Sequence, residues 1–123
     1  MPISMEHWGK DHWSTLAYIE TRIIDYHGGL DVRHMRCNSK LHPQFQHIVE
    51  GKEYPTRLKE GTIVHDHDDW SCVEDMEAEG LLISLGTGLS PVYKLTDKGY
   101  VIAAALRKHK AEGGNFASFN PLA

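Results

Sequence analysis

Residues 68–99 read DDWSCVEDMEAEGLLISLGTGLSPVYKLTDKG, and the reading of this stretch decides the fold. Trp70, Val73 and Met76 stand at i, i+3 and i+6, with Glu77 beside them at i+7, an apolar stripe along one side of a helix until Gly80 supplies the left-handed residue that ends it. Leu81 to Leu85 is a short apolar run of strand length. The following GTGLSP combines two glycines able to take positive φ with a proline, after which Val92, Tyr93 and Leu95 resume an extended pattern. The whole is a β-hairpin hung on a helix, with a second helix opening at its end.

On these residues the segment from Asp68 to Leu106 resembles the second half of a winged-helix domain of the kind found in MarR-like and PadR-like bacterial regulators. In that family a recognition helix ends in a Gly-Leu pair, a hairpin wing follows, and a Leu-Thr-x-x-Gly turn opens the last helix. The matching pieces here are EDMEAEGLL, the hairpin, and Leu95 to Gly99. The resemblance implies an α+β, mainly α fold: a winged helix-turn-helix with a two-stranded wing and a terminal helix of the sort that dimerises. It covers about a third of the chain, and since one fold hosts many roles, function has to be argued from the residues.

At 123 residues the chain has the length of one domain able to bury a core without staples. Residues 1–114 are read as that domain and 115–123 as a tail. The formal charge of −4 argues against a general polyanion binder, which carries a basic excess. Cys37 and Cys72 make neither a disulfide framework nor a CxxC pair, which fits a reducing cytoplasm. The start, MPISMEHWGKDHW, lacks the apolar stretch of a signal peptide, and the run from Tyr100 to Leu106 is too short to span a bilayer. A cytoplasmic protein without membrane contact, of prokaryotic or phage type, is expected.

Outside the central stretch, Asp11 to Tyr26 reads as a helix. Leu16, Ile19, Ile23 and Tyr26 form its stripe, Trp13, Ala17 and Ile24 flank it, and Gly28 and Gly29 end it. Trp8 and Trp13 have faces that stack on bases, but a large apolar anchor in the core is the commoner use. Asp31 caps a short helix from Val32 to about Asn38, which leaves Arg33, Arg36 and Lys40 outside. From Leu41 to Thr62 periodicity is lost and the chain reads as a long irregular connection, unusual in a small domain and often functional. The last helix, Asp97 to about Glu112, is capped by Thr96 or Asp97 and closed by Gly113 and Gly114. Its middle, YVIAAALRK, is apolar on every side and needs cover all round. Either the helix Tyr100–Lys110 forms a homodimer interface or the N-terminal residues wrap over it. The tail NFASFNPLA either docks a partner or folds onto its own domain or a neighbouring subunit.

Charge poses the difficulty for the family function. A helix that reads the major groove offers Arg, Lys, Asn or Gln to base edges. Between Asp66 and Glu79 there are instead seven acids, Asp66, Asp68, Asp69, Glu74, Asp75, Glu77 and Glu79, and no lysine or arginine. The aspartates at the helix start are stabilised there by the macrodipole, by about 0.3–1 kcal/mol each. They still oppose phosphate. The rest of the chain holds ten acids against thirteen basic residues. Arg33, Arg36, Lys40, Lys52, Arg57 and Lys59 lie in its middle, Lys94 near the wing, and Arg107, Lys108 and Lys110 on the last helix.

Nine histidines are the second feature. His65, His67 and Asp69 in IVHDHDDW resemble part of the HxHxDH metal motif of metallo-β-lactamase-like hydrolases, but Trp70 stands where the motif needs its last histidine and the chain is far too short for that fold. A local site of His65, His67 and Asp69 with Cys72 or a distant histidine is chemically sound for zinc, provided a turn brings His65 and His67 to one side. No nucleophile elbow, P-loop or dinucleotide fingerprint is present, so no enzyme and no cofactor is expected.

Three readings follow. In the first, a small winged-helix regulator meets double-stranded DNA through Arg33, Arg36, Lys40, Arg57, Lys59 and Lys94, with the acidic helix turned away. In the alternative, the helix Asp66 to Glu79 presents Asp66, Asp68, Asp69, Glu74 and Asp75 to a basic protein partner, as a DNA mimic would. The third is a small metal-binding protein using His65, His67 and Asp69.

Overall fold

The computed structural model describes residues 2–25, 55–65, 67–84 and 93–121. The fold is α+β and mainly helical: helix α1 (Lys10–Asp25), strands β1 (Thr56–Arg57) and β2 (Ile63–Val64), helix α2 (Asp69–Ala78), strands β3 (Leu82–Ser84) and β4 (Tyr93–Leu95), and helix α3 (Asp97–Ala111). Short 3-10 turns at Met5–His7 and Phe116–Ser118 flank these elements. Among the described residues no helix is long and apolar enough to cross a membrane.

Helix α1 is the centre, with α2, α3, β1 and the C-terminal turn packed round it. Trp13, Leu16 and Ile19 face the core as the stripe predicts, and Trp8 and Trp13 are both 1% exposed, with rings edge to face at 5.2 Å. Both tryptophans are core anchors, unavailable for stacking on a base. The expected Tyr26 end of this helix, the short helix at 32–38 and most of the irregular connection lie outside the described residues.

The last part of that connection is not irregular. Thr56 pairs with Val64 and Arg57 with Ile63, so the stretch reaching Thr62 contains half of a second antiparallel hairpin. Two-residue strands are too short to show alternation, which is why periodicity misses them. Tertiary bonds hold them instead. The Arg57 amide donates to Asp11 Oδ2 at 2.6 Å and the Lys59 amide to the His7 carbonyl at 3.0 Å.

Helix α2 begins at Asp69, inside the span Asp66 to Glu79 read from sequence, with the Asp68 carboxylate capping it by accepting from the Ser71 amide at 3.1 Å. It ends in a Schellman turn: Gly80 takes φ +82°, the Gly80 amide donates to the Glu77 carbonyl and the Leu81 amide to that of Met76. Strands β3 and β4 then pair antiparallel, with Leu82 opposite Leu95, Ile83 opposite Lys94 and Ser84 opposite Tyr93. Leu82, Tyr93 and Leu95 are buried, whereas Ile83 and Lys94 look outward.

Thr96, one of the two caps expected, accepts from the Gly99 amide at 3.0 Å and donates its hydroxyl proton to the Gly80 carbonyl, so the start of α3 is fastened to the end of α2. Ile102, Ala103 and Leu106 bury one face of α3. Arg107 closes the contact with α1 by a forked bond to Glu20, at 2.9 and 3.1 Å. The tail folds back onto the same body. Phe119 meets Trp13 edge to face at 4.9 Å, and His109 Nε2 lies 2.8 Å from Ser118 Oγ.

Gly99 is required by this packing, because a Cβ there would stand 2.2 Å from the Leu81 carbonyl oxygen and 3.1 Å from its carbonyl carbon. Backbone cannot yield as a side-chain tip can. Gly99→Ala is therefore expected to destabilise the fold by about 1–3 kcal/mol or more, read as a lower urea midpoint with little change in slope.

Candidate functional site

Three of the seven acids are buried inside the molecule. Asp68 caps α2, Asp69 is buried in its first turn and Asp75 is 2% exposed. Glu79 accepts from the Met5 amide. The outward acids of α2 are Glu74 and Glu77. As members of an acidic contact surface, Asp68, Asp69 and Asp75 are thus corrected: sequence proximity grouped them with Glu74, but the helix turns them inward. Asp66 lies outside the described residues.

Asp75 anchors a buried polar cluster. Its Oδ1 accepts from the Ile3 amide at 3.0 Å, and its Oδ2 lies 2.8 Å from Nε2 of both His12 and His67. His67 Nδ1 lies 2.8 Å from Thr56 Oγ1, whose hydroxyl donates back to the His67 carbonyl. Cys72 Sγ is 3.8 Å from the same hydroxyl oxygen. Four segments meet here: the N-terminal strap, α1, the hairpin strand β1 and the α2 region. The wall is apolar on one side, where Trp8 stacks on the His12 ring at 4.9 Å.

Local sequence explains the convergence. His12 stands at i−4 and i−7 from Leu16 and Ile19, on the buried stripe of α1, and Cys72 and Asp75 lie one turn apart on the buried side of α2. His67 just precedes the cap of that helix, where the chain leaves β2.

The electrostatics are those of a buried carboxylate held between two imidazoles. Burial alone would raise the Asp75 carboxyl, but hydrogen bonds from His12, His67 and the Ile3 amide outweigh it and hold the group at about 2, below the ordinary 3.8. Burial pushes His12 below its usual value, against the pull of Asp75. One ring nitrogen each of His12 and His67, with Cys72 Sγ, lie within 4.8 Å of one another, a group with the chemistry of a metal centre.

Of the histidine site read from sequence, His67 and Cys72 come together here, while His65 is exposed and does not belong to the group, nor does Asp69. His12 and Thr56 were missed. His12 carried a signal in hindsight, as a polar side chain at an apolar-stripe position; Thr56 carried none. Of the basic residues, Arg57, Lys59 and Lys94 are exposed, and Arg33, Arg36 and Lys40 lie outside the described residues.

Because Asp75 is depressed in the folded protein, its stabilisation is complete above pH 3.8 and is lost as pH falls toward about 2. Asp75→Asn is expected to flatten that part of the acid unfolding curve. Asp75→Ala, which strands two buried imidazoles, is expected to cost about 3–5 kcal/mol at neutral pH, measured by urea denaturation. Comparison of the chain with protein-family models, with curated proteins and with solved structures finds no match in any of the three.

Proposed function

We propose that this chain is a non-enzymatic winged-helix regulator that acts as a homodimer and meets duplex DNA through its wing and the basic groups of its middle segment. The observation that carries the reading is the unit α2, β3, β4 and α3: a helix closed by Gly80, an antiparallel pair, and a helix capped by Thr96. That is the order of recognition helix, wing and terminal helix.

The burial of the acids supports it as well. With Asp68, Asp69 and Asp75 turned inward, the charge opposing phosphate on the described part of α2 falls chiefly to Glu74 and Glu77. Those two still disfavour insertion of α2 into a groove. Contact would therefore run through Lys94 on the wing strand, through Arg57 and Lys59 at the first hairpin, and through Arg33, Arg36 and Lys40. Arg107 is a poorer candidate, being forked onto Glu20.

The dimer rests on α3. Ile102, Ala103 and Leu106 are covered, but Val101 is 70% and Tyr100 40% exposed, and Ala104 and Ala105 continue that uncovered side. Such a stripe on a terminal helix fits a twofold contact. The N-terminal residues pack instead beside α2, where the Ile3 and Met5 amides bond Asp75 and Glu79.

Two measurements test this. Titration with labelled genomic duplex fragments at two salt concentrations is expected to give fragment-selective, salt-sensitive binding that heparin does not reproduce. Lys94→Glu and Arg57→Glu should each weaken binding and lower the salt slope by about one. Absence of binding even at low salt would overturn the DNA reading and leave Glu74 and Glu77 as the place to look for a basic protein partner. Separately, sedimentation is expected to show a dimer that Val101→Glu converts to monomer. A monomeric native protein would remove the second half of the proposal.

A further inference from the structure

Hydrogen-bond accounting in the buried cluster leaves a place for a cation. Thr56 has one hydroxyl proton, and the His67 carbonyl, which can only accept, takes it. The hydroxyl oxygen therefore offers His67 Nδ1 only lone pairs, so Nδ1 carries a proton and donates it to Thr56. A neutral His67 in this tautomer turns the lone pair of Nε2 onto Asp75 Oδ2 at 2.8 Å. Two lone pairs at that distance repel unless a positive charge lies between them. His12 adds to the imbalance. Its Nε2 also faces Asp75 Oδ2, and its Nδ1, in a side chain of 0% exposure, has no hydrogen-bond partner.

A proton on His67 Nε2 is one remedy, at the cost of a buried imidazolium. A metal ion is the other, and the surrounding atoms favour it. Nitrogen from two histidines and the sulfur of Cys72 lie within 4.8 Å of one another, and the Asp75 carboxylate lies against both imidazoles. Bonds of about 2.0–2.3 Å to a central zinc-like ion put tetrahedral donors about 3.3–3.7 Å apart, so the group needs to draw in by about an ångström.

We propose that His12, His67 and Cys72, beside the carboxylate of Asp75, form a buried structural site for a divalent transition metal of the zinc class. Nitrogen and thiolate donors select such an ion over magnesium or calcium. Loading removes the proton of the Cys72 thiol and lets the His67 Nε2 lone pair bind metal while Nδ1 keeps its bond to Thr56. Thr56 thereby fixes the ligating tautomer, the usual role of a group behind a metal-bound histidine. Burial of all three donors suits a site that joins α1 to the α2 region and performs no chemistry. The site rests on the cluster alone and is independent of the regulator reading.

The experiment uses the full chain without a histidine tag, freed of metal by a chelator and titrated with cobalt(II). Expected are saturation at one ion per chain and a thiolate-to-cobalt charge-transfer band, both reversed by one equivalent of zinc. Cys72→Ser should abolish the band and Cys37→Ser should leave it. Thr56→Val should retain the band but weaken affinity by about 10–100-fold. Zinc should raise the melting temperature of the native chain, and magnesium should not. If Cys72→Ser does not fold, the native titration, the Thr56→Val affinity and the zinc-specific melting shift still decide the matter. A native chain with neither the band nor that shift would overturn the site. So would a band lost in Cys37→Ser and kept in Cys72→Ser.

Discussion

The carboxylate of Asp75 ties together parts of the chain that are remote in sequence. It holds the N-terminal strap through the Ile3 amide, α1 through His12, and the segment entering α2 through His67, itself joined to β1 by Thr56. A buried charge is tolerated only when paired and hydrogen-bonded. Here both oxygens of the carboxylate have partners, so a group that would otherwise oppose folding fixes the register of four segments against one another. The apolar packing of Trp8, Trp13, Leu16, Val73 and Met76 supplies the driving force around it, but apolar contact has no direction. The polar cluster supplies the direction.

This arrangement also changes what the acidic helix means. Counted along the sequence, its charge makes α2 either repellent to nucleic acid or attractive to a basic partner. In three dimensions the same residues have separate tasks. Asp68 satisfies helix amides, Asp75 serves the core and Glu79 binds the Met5 amide. Only charge left facing solvent acts on a distant partner with much force, and on α2 that is chiefly Glu74 and Glu77.

Helices α2 and α3 are joined where one ends and the other begins. Thr96 spans the Gly80 carbonyl and the Gly99 amide, and Gly99 lets the start of α3 lie against Leu81. The hairpin between them therefore departs from a rigid base. Helix α1 is bonded to this base through two contacts, the Asp75 cluster and the Arg107–Glu20 fork. That coupling suits a protein whose terminal helix and hairpin have to keep a fixed relation.

Sequence by itself determined the local elements. Leu16 and Ile19 on α1, Val73 and Met76 on α2, the Gly80 stop, Leu82, Tyr93 and Leu95 of the β3–β4 pair and the Thr96 cap all rest on patterns within a few residues, which periodicity and capping chemistry express directly. It also determined that Trp8 and Trp13 belong inside. Tertiary structure alone decided the rest. Strands β1 and β2 exist because Asp11 and His7 hold them, so no local pattern announces them. His12, Thr56, His67 and Asp75 come from segments as much as 63 residues apart, as the separation of His12 and Asp75 shows. Their encounter depends on how α1 packs across α2, and spacing along the chain carries no record of that. The sequence read His65 with His67 because they are neighbours. Packing kept His67 and exchanged His65 for His12, because a ligand set is chosen by distance in space.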